Sequence, residues 1–274
     1  MSAGSAAGGS RSAAELERLR SRVAAEDWWH AIELAPGLLT PGWWDLRPTA
    51  ARVPWPGSLA GLRCLDVGTM DGFWAFELER RGASEVVAVD LVDPRRQDSP
   101  CGRSAAASAP TPAHELRGRR FELAARVLGS RATYLDRSVY DLDPEDVGEF
   151  DCVVVGYVLQ MLRDPLRALE ALRGVCRGGW LLVIETVSAP LSLLPAPLAR
   201  LNARRGQLEW FVFNRAGLRE AVTMAGFAVE EMTGILRDAA GPAAAASALA
   251  PSVRARHALG LLGRSVALRA RAPR

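Results

Sequence analysis

The residues best suited to chemistry close two apolar runs. Cys64 to Phe73 reads Cys-Leu-Asp-Val-Gly-Thr-Met-Asp-Gly-Phe, an apolar run ending in Asp66 and Gly68, with Gly72 four positions further on. A helical pattern follows over Trp74 to Arg81, and Val86-Val-Ala-Val-Asp90 is a second apolar run ending in an acid. Strand, glycine turn, helix, strand and terminal carboxylate make a nucleoside-binding βαβ unit. Without a Cβ, Gly68 and Gly72 let the backbone turn tightly and approach a ligand closely. The helix start near Gly72 offers unpaired N–H groups. Asp90, 22 positions after Gly68, falls where an acid can accept hydrogen bonds from both ribose hydroxyls.

A dinucleotide site uses three glycines, G-x-G-x-x-G, to seat a pyrophosphate. Here the turn has two, with Asp71 just before the second, an acid that repels a pyrophosphate and suits a cationic ligand carrying an amino acid. The pattern therefore favours S-adenosylmethionine over NAD. Transfer of a methyl from a sulfonium needs alignment of the nucleophile, and a base if that nucleophile is a hydroxyl. Because the ordinary histidine pKa of ~6.5 suits a base at neutral pH, His30, set among aromatic residues, is the first candidate base, against the alternative of a structural histidine at a helix end. Glu33 and Glu185 are further candidates, although Glu185, just past a buried run, is as well suited to capping a loop. His114 and His257 fall in a loop and a tail and receive no role.

These residues must be positioned by alternating strands and helices. Residues 1–12 are Ala/Gly/Ser-rich and read as disordered. Residues 13–58 read as an N-terminal helical extension and active-site lid, helical over Ala13 to Trp29 and then dense in tryptophan (Trp28, Trp29, Trp43, Trp44). Packing is the expected role of at least two of the four. Residues 59–274 read as the main domain, with low-complexity loops at 98–113 and 241–251. A helix is expected over Glu115 to Leu128, and buried strands over Asp151 to Val155 and Trp180 to Ile184. Asp164-Pro165 should cap and open a helix to Val175, and Asn214 should precede another. The alternation implies a doubly wound parallel sheet whose ligand lies beyond the carboxyl ends of its strands.

Composition narrows the class. The net charge of +3 over 274 residues does not argue for nucleic acid, and the 49% apolar content can fill a full core. All 34 basic residues are arginine, a compositional bias rather than a functional signal. Six arginines and no acid from Arg254 onward are the one basic concentration, read as a solvated terminal strand and its flanks. Four cysteines (Cys64, Cys101, Cys152, Cys176) make no metal pattern and read as reduced core thiols. No apolar run approaches the ~20 residues of a membrane span, and no signal peptide is evident, so a soluble cytoplasmic protein is expected.

From about Trp28 to the C-terminus the pattern resembles class I S-adenosylmethionine-dependent methyltransferases. That resemblance implies a Rossmann-like α/β sheet of seven strands, the last antiparallel. Three segments, Trp28 to Gly42, Gly156 to Pro165 and Trp210 to Asn214, resemble the group related to tRNA wobble-uridine methyltransferases. The resemblance implies that Asp66, Gly68, Thr69 and Gly72 surround the methionine moiety. It puts Asp90 on the ribose, Val139 and Tyr140 beside the adenine, and Gly156 to Gln160 along the methyl-donor face, with the His30 segment over the active site. Relatives that transfer a carboxymethyl group hold the extra carboxylate with a lysine and a tyrosine. This chain has no lysine, and Gln160 and Met161 stand where tyrosine and histidine are usual. Unmodified S-adenosylmethionine and a small-molecule hydroxyl acceptor in specialised metabolism are therefore expected. The alternatives are a tRNA wobble-uridine methyltransferase and a non-catalytic protein that binds S-adenosylmethionine. No metal is expected.

Overall fold

The computed structural model describes residues 12–93, 96–98, 115–201, 209–246 and 264–273. The expected disorder of residues 1–11, most of the loop at 98–113, and Cys101, His114, His257 and the arginines before Arg264 all lie outside the described residues.

Helix α1 (Ala13–Ala24) starts at a capping box: Ser12 Oγ accepts the Glu15 N–H at 3.3 Å and Glu15 Oε2 accepts the Ser12 N–H at 2.8 Å. It stops well short of Trp29. Strands β1 (Glu33–Ala35) and β2 (Leu38–Leu39) then form a hairpin, followed by β3 (Trp44–Asp45) and the single turn α2 (Arg47–Ala50). The extension is thus only partly helical. Its Pro-Gly turns interrupt helix propagation, and backbone pairing takes over, with Ala31 donating to Trp44 O at 2.8 Å and Trp44 to Trp29 O at 3.0 Å.

The main unit runs β4 (Arg63–Val67), α3 (Phe73–Arg80), β5 (Glu85–Asp90), the helix Glu115–Leu128, β6 (Thr133–Asp136), β7 (Cys152–Gly156), the helix Pro165–Val175 and β8 (Trp180–Thr186). A small ribbon of β9 (Ala199–Leu201) and β10 (Phe211–Phe213) follows. The helix Arg215–Met224, β11 (Ala228–Met232), β12 (Leu236–Arg237), β13 (Ala239–Ala240) and β14 (Arg264–Arg271) complete it. The sheet order is β11-β14-β8-β7-β4-β5-β6, with β12 adding to β14. Strands β4 to β8 are parallel; β14 runs antiparallel between β8 and β11. This is the expected doubly wound, Rossmann-like sheet with its last strand antiparallel, widened by the short β12. The chain leaves β4 toward β5 and β6, then returns to pair β7 on the other side, so the crevice opens at the ends of β4 and β7.

Burial on both faces explains the unbroken apolar runs. In β7, Val153 and Val155 face the helices Pro165–Val175 and Arg215–Met224, while Cys152 and Val154 face α3 and the extension. Expected caps are present: Asp164 accepts the Arg167 N–H and Asn214 accepts the Gly217 N–H. One expectation is corrected. Residues 241–251 do not begin as a loop, because Pro242–Ala246 is a short helix, opened by proline and carried by alanines. It docks on the extension, with Gly241 donating to Trp43 O at 2.8 Å.

A buried carboxylate fastens the extension to the sheet. Asp238 Oδ1 accepts hydrogen bonds from Thr49 in α2 (3.0 Å), Ser265 in β14 (2.7 Å) and Tyr157 after β7 (2.7 Å). Beside it, β13 pairs β3. Replacing Asp238 by alanine leaves these hydroxyls without their acceptor and is expected to cost about 1–3 kcal/mol in urea unfolding. An unchanged midpoint would show that the cluster carries no stability.

Candidate active site

The glycine turn is built by what surrounds it. Gly68 (φ +75) ends β4, donates to Val89 O at 2.8 Å, and leaves no room for a Cβ, which would fall 2.3 Å from Val158 Cγ2. Met70 has φ +52, a left-handed conformation held by its N–H donating to Asp90 Oδ2 at 2.8 Å. Asp90 Oδ1 takes the Leu91 N–H at 2.6 Å. The carboxylate predicted for ribose thus also ties the turn to the end of β5.

Over this turn lies a crevice of about 100 Å³ that brings together four predicted residues, Gly68, Asp90, Val139 and Tyr140. It also contains Val158, from the stretch expected along the methyl-donor face, and Met161, together with Met70, Leu162 and Asp98, which the sequence reading did not single out. Tyr140 donates its hydroxyl to Asp98 at 2.8 Å, and burial raises its pKa above the ordinary phenol value. Asp98 Oδ2 also takes the Arg163 N–H at 2.9 Å, closing the crevice wall. No pattern in the sequence marks Asp98, whose partners come from two distant loops.

Buried polar atoms gather at the neighbouring strand ends. Asp66 is fully buried and accepts the Ala75 N–H at 3.0 Å through Oδ2, while neither its Oδ1 nor Thr69 Oγ1 has a well-formed partner among the described residues. Burial pushes Asp66 up to about 7, against the nearby Thr69 hydroxyl, His30 and the Ala75 N–H. An unpaired carboxylate oxygen next to a hydroxyl is what the ammonium of an amino-acid-bearing nucleoside requires, so these residues fit the expected cofactor. Gly72 has the positive φ (+99) that the turn requires, and a Cβ there would meet Phe76 and Phe121. Gly156 admits the Trp74 indole, whose Nε1 would lie 2.3 Å from a Cβ there and has no partner among the described residues. Gln160 is buried with Oε1 also unpaired.

The three candidate bases are separated by the fold. Glu33 is exposed on β1. Glu185 is fully buried at the end of β8, but its oxygens are committed to the N–H groups of Gln160 (3.2 Å) and Thr186 (2.9 Å). It caps the turn Leu159–Met161. His30 is 5% exposed, stacks obliquely on Phe73 and stands close enough to Asp66 for their charges to interact. Its Nδ1 is hydrogen-bonded to Asp71 Oδ1. Asp71 does not face a ligand as expected: its Oδ2 accepts the N–H groups of Trp29 (2.7 Å) and His30 (2.9 Å). Burial would raise Asp71, but the His30 charge, the His30 ring and these two amides hold it below the ordinary carboxylate value. Of the tryptophans, Trp28 is core and Trp44 half-buried against it, while Trp43 is exposed.

Burial pushes Glu185 from its ordinary 4.5 up to about 8. Between those limits the folded chain holds a proton that the unfolded chain has released, so stability falls as pH rises, approaching ~1.4 kcal/mol per pH unit at steepest. Asp66 adds the same sign up to about 7. Glu185→Gln, which keeps one acceptor oxygen for the amides, should flatten the fall in urea midpoint from pH 5 to pH 8. Parallel curves for the two proteins would mean that Glu185 is not protonated in the folded state.

Comparison with known proteins agrees with this geometry. A family model described as a methyltransferase domain matches residues 22–232. No curated protein matches the chain by sequence. Among solved structures, the N-terminal domain of EvdMO1 with S-adenosylhomocysteine and D-fucose is 18% identical, over 96% of this chain and 97% of that one, with a TM-score of 0.55. The cyclase SpnF is 17% identical over 98% and 85% of the two chains, TM-score 0.52. The 1,6-didemethyltoxoflavin-N1-methyltransferase of Burkholderia thailandensis, bound to 1,6-didemethyltoxoflavin and S-adenosylhomocysteine, is 18% identical over 84% and 78%, TM-score 0.51. These likenesses are of fold. The chain belongs to the methyltransferase-domain family, as an enzyme of the class I, S-adenosylmethionine-dependent kind.

Proposed function

We propose that this methyltransferase acts on a small molecule, at a hydroxyl oxygen, in specialised metabolism, with His30 as the general base. The observation that carries the reading is the His30 ring: near Asp66, and with Asp71, through Nδ1, its one hydrogen-bond partner among the described residues. In this reading Asp66 and Thr69 hold the cofactor's amino-acid end, Asp90 its ribose, and Val139 and Tyr140 its adenine. Gly68 and Gly72 let the loop curve round it, and Gly156 to Gln160 line the methyl-donor face. When bound, S-adenosylmethionine would supply a methyl already activated on a sulfonium, with a neutral thioether as the leaving group. His30 Nε2 takes the hydroxyl proton as the new O–C bond forms, then gives it to solvent.

Structures of this fold, one in the presence of D-fucose and one with bound 1,6-didemethyltoxoflavin, support a small acceptor by analogy. The tRNA wobble-uridine reading is less well supported, because the described part of the arginine-rich tail is engaged internally. Arg269 pairs with Glu230 (2.9 Å) and Glu231 (3.4 Å), and the Arg271 guanidinium lies 4.1 Å over Trp180. Binding a polyanion calls for cations left free on one face. The described helices include none long and apolar enough to cross a membrane. We take the reaction to run in the cytoplasm, where the free buried thiols Cys64, Cys152 and Cys176 stay reduced.

Calorimetry should show S-adenosylmethionine binding and no comparable NAD binding; the opposite result would end the methyl-transfer reading. Asp90→Ala should weaken cofactor binding by about 1–3 kcal/mol, with a parallel thermal scan to account for the freed Met70 and Leu91 amides. A product screen against small phenols, sugars and bulk tRNA then tests the acceptor, and methylation of tRNA alone would overturn the small-molecule reading. On the acceptor found, His30→Ala should lower turnover about 10²- to 10⁴-fold with cofactor affinity kept. Lost thermal stability with turnover intact would make His30 structural.

A further inference from the structure

Asp71 has no place in the cofactor contacts described above, yet its carboxylate is among the most fully partnered groups in the molecule. Oδ2 receives two backbone N–H groups, from Trp29 and His30, at 2.7 and 2.9 Å. That pair fixes the plane of the carboxylate and aims Oδ1 at His30 Nδ1. The His30 backbone is held too, and the ring has one aromatic neighbour. Thr40 Oγ1 donates to His30 O at 2.6 Å, Gly42 packs so tightly on the His30 backbone that a Cβ would fall 2.0 Å from its carbonyl carbon, and the Phe73 ring centre is 5.6 Å away.

An ionised carboxylate can only accept, so the nitrogen facing it must carry the proton. A neutral imidazole has one N–H, and placing it on Nδ1 leaves Nε2 with its lone pair. We propose that Asp71 is a positioning residue for methyl transfer: it holds His30 as the Nδ1–H tautomer and so keeps Nε2 bare to receive the acceptor's proton. The proposal rests on His30 being the base. The same carboxylate also stabilises the imidazolium that forms when the proton arrives. The charged groups facing His30 are Asp71 from the glycine turn and Asp66 from β4; Glu33, on β1, points to solvent. Because Asp71 lies between Gly68 and Gly72, the base is fastened to the loop that curves round the cofactor, and the two cannot move independently.

Asp71→Asn separates anchoring from tautomer choice. The asparagine carbonyl must stay on the two backbone N–H donors, because the reversed amide would set donor against donor. Its NH₂ then faces Nδ1, which must become the acceptor, and the proton moves to Nε2. Only three histidines are present in the chain, so ¹⁵N-histidine labelling of the whole protein gives three ring systems, and His30→Gln identifies the signal that disappears. At about pH 8, above the ordinary imidazole value, long-range ¹H–¹⁵N correlations should show wild-type His30 protonated on Nδ1 and bare on Nε2. In Asp71→Asn the two should exchange, while S-adenosylhomocysteine binds within about threefold of wild type, about half of the 1.4 kcal/mol that a tenfold change represents. An Nε2–H tautomer in the wild type, or the same tautomer in both proteins, overturns the proposal. Adding S-adenosylhomocysteine should also move the His30 Nε2 resonance. A bare Nε2 that does not respond would overturn the base assignment itself, with the Asp71 contact left as an anchor of the extension.

Discussion

A carboxylate removed from water stays ionised only where several donors converge on it. At Asp71 those donors come from residues 41 and 42 positions earlier in the chain. This requirement fixes more than one ion pair. To reach Asp71, the chain after α1 must run under the glycine turn, which sets where the β1–β2 hairpin closes and brings Trp28 into the core. The Thr40 hydroxyl, the absent Cβ of Gly42 and the pairing of Ala31 with Trp44 all serve the same local geometry. The extension is therefore fastened into the glycine turn rather than laid over it.

Around this anchor the molecule tolerates groups that a core would ordinarily exclude. Asp66, Thr69, Trp74 and Gln160 each hold a buried polar atom without a partner among the described residues. Asp66 and Thr69 belong to β4 and the turn after it, Trp74 to the first turn of α3, and Gln160 to the turn after β7. Unsatisfied atoms of this kind are rare in folded proteins and each costs stability. Four of the seven such atoms among the described residues thus gather near the turns that follow β4 and β7, while the two apolar faces below carry the fold.

Much of this was legible in the sequence. The βαβ unit, its glycines and Asp90 were readable because they are local: period-two burial, a turn that needs positive φ, an acid at a strand end. The caps at Asp164 and Asn214 were readable for the same reason. Asp71 was seen but misread, since an acid in a glycine turn looks like a ligand contact until its true partners, far earlier in the chain, are in place. Glu185 similarly showed as an acid after a strand; only the fold reveals that the backbone of Gln160 and Thr186 occupies it. Asp238, Asp98 and the short strands β3 and β13 gave no signal, because their partners are distant in sequence and their own neighbours unremarkable.

The Asp238 cluster has a consequence for how the chain is made. Thr49 meets Asp238 across 189 residues, and β3 finds its edge in β13, so the N-terminal extension cannot complete its contacts until most of the polypeptide has left the ribosome. During that interval the tryptophan-rich stretch waits beside a growing sheet whose order, with β14 inserted between β8 and β11, is itself incomplete until the last strand arrives. Contacts so far apart in sequence close slowly. The nascent enzyme thus carries the far side of its extension unpaired for longest, and the contacts of Thr49 and β3 close only as synthesis ends.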